Sequence, residues 1–148
     1  MYPFSKTPDA IANLRGGSDH PTLRGNVTFS QIYGRILIVI HVYGLPHDNP
    51  SGFFALHIHE GDACSGEGFS DTKSHYNPQN LPHPEHAGDL PPLLSCNGEA
   101  YLAVLTDRFS IQDIVGKTVV IHSSPDDFHS QPAGNAGTKI ACGVIYRV

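Results

Sequence analysis

Hydrophobic and polar residues alternate with a period of two over several short stretches of this chain, and no helical period persists anywhere. Ala10 to Arg15 reads as a first strand, closed by Gly16-Gly17. Leu23 to Tyr33 follows, with Val27, Phe29 and Gln31 expected on one face and Asn26, Thr28 and Ser30 on the other. After Gly34, the run Arg35 to Tyr43 is rich in β-branched residues and ends at Gly44-Leu45-Pro46, which predicts a hairpin with the strand before it. Phe53 to His59 reads as the next strand. It places Phe54, Leu56 and Ile58 toward a core and His57 and His59 together on the opposite face.

The periodicity then vanishes from Gly61 to Leu94, a glycine- and proline-bearing stretch. A loop of that length inside a compact domain is usually functional or disordered, and its histidines and acidic residues favour function. Strands resume at Glu99 to Leu105 and at Thr118 to His122, with a helical turn or irregular crossover expected between Asp107 and Val115. A second loop, Ser123 to Thr138, leads into a last strand, Lys139 to Val148. Short strands joined by turns and two long loops predict an all-β fold, an antiparallel β-sandwich or barrel. No repeat or linker divides the 148 residues, so one domain over 1–148 is expected.

Charge narrows the partners. A net charge of −5 and a pI near 6.0 argue against nucleic acid and anionic membranes, and no run of 18 apolar residues is present. Met1-Tyr2-Pro3-Phe4-Ser5-Lys6 lacks the basic and apolar regions of a secretory signal. The expected location is therefore cytoplasmic, or extracytoplasmic for a chain from which a signal has been removed. Three cysteines, Cys64, Cys96 and Cys142, form no Cys-x-x-Cys motif.

Ten histidines are the unusual total, and six of them fall between His57 and His122. His57, His59, His75, His83, His86, Asp89 and His122 are the candidate ligands, enough for two metal ions. Imidazole suits copper and zinc, and a carboxylate completes a zinc shell. Pro82 and Pro84 exclude a helix through His83, His86 and Asp89, so these three are loop ligands. His122 ends a strand in which Val119 and Ile121 face the core, and so points to the other side. His20, His41, His47 and His129 belong to no motif and read as surface or strand residues.

Six segments, in order, resemble copper–zinc superoxide dismutases of bacterial type. They are Leu56-His57-Ile58-His59-Glu60, Gly61-Asp62-Ala63-Cys64, Ser74-His75-Tyr76-Asn77-Pro78, His86-Ala87-Gly88-Asp89-Leu90, Gly116 to His122, and Gly134 to Ile145. The likeness covers about Gly52 to Tyr146; the first fifty residues match only as strands. It implies an immunoglobulin-like Greek-key sandwich or barrel of about eight antiparallel strands. It implies copper on His57, His59, His75 and His122, and zinc on His75, His83, His86 and Asp89, with His75 shared. It implies that Asp126, with Asp127 as the neighbouring alternative, links a copper ligand to a zinc ligand by hydrogen bonds. Cys64 and Cys142 would form a disulfide, leaving Cys96 as a small packing residue.

The implied activity is disproportionation of superoxide to oxygen and hydrogen peroxide by alternating reduction and oxidation of a histidine-bound copper beside a structural zinc. His75 would pass a proton to the product. The alternative is a non-catalytic zinc-bound module with a structural or metal-handling role. Superoxide is the implied small-anion partner, and the resemblance leaves room for a homodimer and a copper-delivery protein. Lys139 stands where the family usually carries an arginine that guides the anion, and the loop Ser123 to Thr138 has no other cation. Only two residues separate His83 from His86, a short spacing for the family's zinc loop.

Overall fold

The computed structural model describes residues 7–148. Met1 to Lys6, on which the reading of the N-terminus rests, lie outside the described residues. Seven strands form one antiparallel sheet. They are β1 (Ala10–Gly16), β2 (Arg24–Ile32), β3 (Arg35–Tyr43), β5 (Leu56–His59), β7 (Ala100–Thr106), β8 (Thr118–His122) and β9 (Lys139–Arg147), in the spatial order β5-β8-β9-β1-β2-β3-β7. A two-stranded ribbon pairs β4 (Phe53–Phe54) with β6 (Leu93–Leu94). The neighbours β9–β1 and β3–β7 are far apart in sequence, which is the long-return pairing of a Greek key. The fold is all-β, with the sheet curled about one continuous apolar cluster.

Alternation explains most strand faces. Ala10, Ala12 and Leu14 of β1 and Ile36, Ile38, Ile40 and Val42 of β3 are buried, and the residues between them reach the other side. Phe54, Leu56 and Ile58 are fully buried, each contributing roughly 1.5–3 kcal/mol of transfer free energy. The β2–β3 hairpin closes through Tyr33 and Gly34, both at positive φ, which matches the twist of a two-residue loop even though tyrosine is an unusual first residue.

Four expectations need correction. Gln31 is exposed and Ile32 takes the inward position, because the alternation breaks at the end of β2. Phe53 to His59 is not one strand. It divides at Ala55, whose N–H donates to Ser124 O at 2.9 Å and whose carbonyl accepts from His122 N–H at 2.9 Å. Leu93-Leu94, read as the end of a loop, is the strand that pairs with Phe53-Phe54, so nine regular strands lie among the described residues. Cys96 is exposed rather than packed.

The helical turn within Asp107–Val115 is α1 (Ile111–Ile114), started by a reciprocal cap between Ser110 and Asp113. The long loop after β5 runs back along that strand's free edge. Tyr76 N–H donates to Ile58 O, and Ile58 N–H to Gly88 O, both at 2.8 Å. The loop covers that edge, and all four residues of β5 are buried, including His57 and His59, which point away from the apolar core.

Candidate metal centre

His57 and His59 are fixed by β5, and His122 by the end of β8, where the register with β9 shifts between Ile121 and His122. His75 is bridged backbone to backbone with His59, and Asp89 with His57. The loop thus delivers its ligands by extending the sheet. His57, His59, His75 and His122 each offer a ring nitrogen, all within 4.8 Å of one another. His59 Nε2 and His122 Nε2 are 3.2 Å apart.

A second group forms around Asp89. Its Oδ1 lies 2.8 Å from His75 Nδ1, and its Oδ2 lies 3.0 Å from His83 Nδ1 and 3.2 Å from His86 Nδ1. Donor proximity also draws His57 into a set with His75, His83 and Asp89. His57 Nε2, however, is turned to Asp126, which leaves only Nδ1, and His86 completes the Asp89 side.

Asp126 accepts from His57 Nε2 at 2.8 Å, from His83 Nε2 at 2.7 Å and from Phe128 N–H at 2.8 Å. Asp127 instead accepts from the backbone of His129 and Ser130, so Asp126 is the carboxylate that joins the two groups. Burial would raise the Asp126 carboxyl, but hydrogen bonds from His57 and His83 overcome it and hold it well below the usual carboxylate range. Burial would likewise raise Asp89, and His75, His83 and His86 together hold it down. Desolvation lowers His57 to about 4 against the pull of Asp126. It lowers His122 to about 3, with His57 and His75 adding to the effect, and it depresses His59 as well. These three rings are neutral at ordinary pH, the state in which imidazole binds a metal.

The donor set passes a direct test of fit. Two buried nitrogens that face the cluster, His57 Nδ1 and His75 Nε2, have no hydrogen-bond partner, and His83 Nδ1 has only the Asp89 carboxylate 3.0 Å away. Leaving such buried nitrogens unpaired is costly, and a bound metal would satisfy them. Separations of 2.8 to 3.2 Å within the cluster are close to the roughly 2.9–3.3 Å that metal bonds of about 2.0–2.1 Å leave between adjacent ligands. His75 faces both groups, with Nδ1 on Asp89 and Nε2 unpartnered.

The centre opens into a cleft of about 500 Å³, lined in part by His59, His75, His122 and Lys139. Lys139 Nζ donates to Thr72 Oγ1 at 2.8 Å and to Lys73 O at 3.0 Å, and burial lowers its pKa. Cys64 and Cys142 are joined in a disulfide across 78 residues. His20, His41, His47 and His129 stay outside the centre, with His41 bound to Glu99 and His129 exposed beside Asp127.

Three supporting groups escaped the sequence reading. Lys73 O accepts from His59 Nδ1 at 2.8 Å. Gln131 pairs with both backbone groups of His83, through Oε1 at 2.9 Å and Nε2 at 2.8 Å. Arg108 Nη1 donates to His86 O at 3.0 Å, to Pro84 O at 3.2 Å and to Asp89 O at 3.4 Å. All three act on or through backbone groups, which leave no side-chain signature.

Among the described residues no helix is long and apolar enough to cross a membrane. Residues 23–145 match the family described as copper/zinc superoxide dismutase (SODC). The superoxide dismutase (Cu-Zn) 2 of Aquifex aeolicus is 40% identical over 125 residues, covering 74% of this chain and 71% of that protein. The corresponding dismutase of Legionella pneumophila is 35% identical over 145 residues, covering 93% and 86%. A buried two-part histidine and aspartate centre, set in a Greek-key sheet and matched over this length, is decisive: the chain belongs to the copper–zinc superoxide dismutase family.

Proposed function

We propose that this enzyme disproportionates superoxide at a copper held by His57, His59, His75 and His122, next to a zinc held by His75, His83, His86 and Asp89. The observation that carries the assignment is His75, whose two nitrogens face different groups, one at Asp89 and one unpartnered. Copper supplies one-electron exchange with the substrate, and zinc, which has no redox chemistry, supplies fixed charge and shape. The overall change takes two superoxide anions and two protons to one oxygen and one hydrogen peroxide.

The protein's own groups do the rest. Asp126 fixes the rings of His57 and His83 through their Nε2 atoms, so the two sites keep one relative orientation. Lys73 O holds His59 with Nε2 directed inward. His75 Nε2 is the atom at which a proton would be held and passed on, because Nδ1 faces the Asp89 group that would hold zinc. Lys139 attracts the anion, though two of its three N–H donors are engaged by Thr72 and Lys73.

The non-catalytic alternative finds no support, since all four histidines of the copper group are present. One domain over residues 1–148 belongs to this proposal, supported by the continuous apolar cluster among the described residues. So do a homodimer and a copper-delivery partner, for which sedimentation and copper transfer from a carrier are the checks. A location in the cytoplasm, or outside it for a chain from which a signal has been removed, also belongs here, and the Cys64–Cys142 bond, which an oxidising compartment would keep closed, supports the second. Metal analysis of two variants tests the assignment. His122→Ala loses copper and keeps zinc, whereas His86→Ala loses zinc first. Loss of both metals in each variant contradicts it.

A further inference from the structure

The cleft is far larger than a diatomic anion, so its shape alone does not select the substrate, and charge has to. Apart from the histidines, the charged groups lining it are Glu60, Lys73 and Lys139. The chain as a whole carries −5, which repels an approaching anion. Lys139 is partly withdrawn, bonded to Thr72 and Lys73 O. Among these side chains Lys139 is balanced by Glu60, so Lys73 supplies the net positive charge that they add to that of the metal centre.

Lys73 occupies an improbable conformation. Its φ of 60° and ψ of −148° lie in a region used almost only by glycine. That backbone aims its carbonyl at both His59 Nδ1 and Lys139 Nζ. A glycine would serve the carbonyl with less strain. A lysine there retains a strained conformation and adds a side chain that is exposed and lines the cleft.

We propose that Lys73 is a substrate-guiding residue, a second cation that draws superoxide into the cleft alongside Lys139. The inference rests on the dismutase reading above. It separates two roles at one position, the carbonyl that holds His59 and the ammonium that attracts the anion. Glycine at 73 keeps the first and removes the second.

The test uses copper- and zinc-loaded protein and three variants, Lys73→Met, Lys73→Arg and Lys73→Gly. The second-order rate with superoxide is followed against ionic strength, and azide affinity is read from the copper absorption spectrum. Lys73→Met and Lys73→Gly are expected to lose about 2–5-fold in rate at low salt and to bind azide correspondingly less tightly. The difference fades once the Debye length falls to a few ångströms. Lys73→Arg keeps the wild-type rate and salt slope. Lys73→Gly melts no lower than wild type, since it relieves the backbone. A Lys73→Met protein with unchanged rate, salt slope and azide affinity overturns the inference, as does a Lys73→Arg protein as slow as Lys73→Met. A wild type that consumes no superoxide sinks the dismutase reading instead.

Discussion

Gly134→Ala offers a sharp way to weigh the link between the two metal groups. Gly134 sits at φ 70°, and a Cβ there would lie 2.0 Å from Asp126 Oδ1 and 2.6 Å from His83 Nε2. The methyl would enter the hydrogen bond between those atoms, 2.7 Å long. Gly116, at φ 88° with nothing within 4 Å of its added Cβ, is the matched control. Both substitutions bear the cost of a left-handed backbone, about 1–2 kcal/mol. Gly134→Ala must also break or bend the bond from His83 to the Asp126 carboxylate, a charged-acceptor bond of about 1.5–3 kcal/mol. For a domain of this size each kilocalorie lowers the melting temperature by roughly 2–4 °C. Gly116→Ala should therefore melt about 2–8 °C below wild type, and Gly134→Ala roughly 5–20 °C below. Because Asp126 orients His83, only Gly134→Ala should also weaken zinc, by about 10–100-fold in chelator competition. Equal melting temperatures and equal zinc affinities in the two variants would refute the reasoning.

Arg108→Ala removes the donor shared by the carbonyls of Pro84, His86 and Asp89. Zinc should exchange about tenfold faster from this variant to a chelator, and an unchanged exchange rate speaks against the clamp. Metal-free protein should lose stability as pH falls. His57 and His122 have folded values near 4 and 3 against 6.5 when unfolded, so below 6.5 the unfolded chain binds the extra protons. Stability is full above pH 6.5 and drops steadily toward pH 4, and the depressed Asp126 and Asp89 extend the loss to lower pH. Thermal scans at several pH values check this, and a flat melting temperature across that window contradicts it. Reducing Cys64–Cys142, which closes a loop across 78 residues, should cost up to about 4–5 kcal/mol in the chain-entropy account. Denaturant midpoints with and without reductant measure it, and coincident midpoints would show that the bond adds nothing.

Much of the site was legible because strand alternation is rigid. A spacing of two puts His57 and His59 on one face whatever surrounds them, and the apolar run before His122 fixes its direction. The long loop announced itself through its prolines, glycines and histidines. The pairing of Cys64 with Cys142, the division of ligands between two metals and the choice of Asp126 over Asp127 came from family resemblance, since spacing in a loop does not define geometry. Other features were hidden for physical reasons. Ala55 breaks a strand because Ser124 and His122 capture its backbone from afar. Leu93-Leu94 is a strand only because Phe53-Phe54 lies opposite. Lys73 and Gln131 work through main-chain bonds that no pattern of side chains records.

The most direct test of the central claim is metal content measured together with superoxide consumption on protein reconstituted with copper and zinc. About one copper and one zinc per chain, with superoxide consumed catalytically and the activity lost in His122→Ala while zinc is kept, is the predicted result. Zinc alone in the loaded protein, with no superoxide consumed after copper addition, would contradict it.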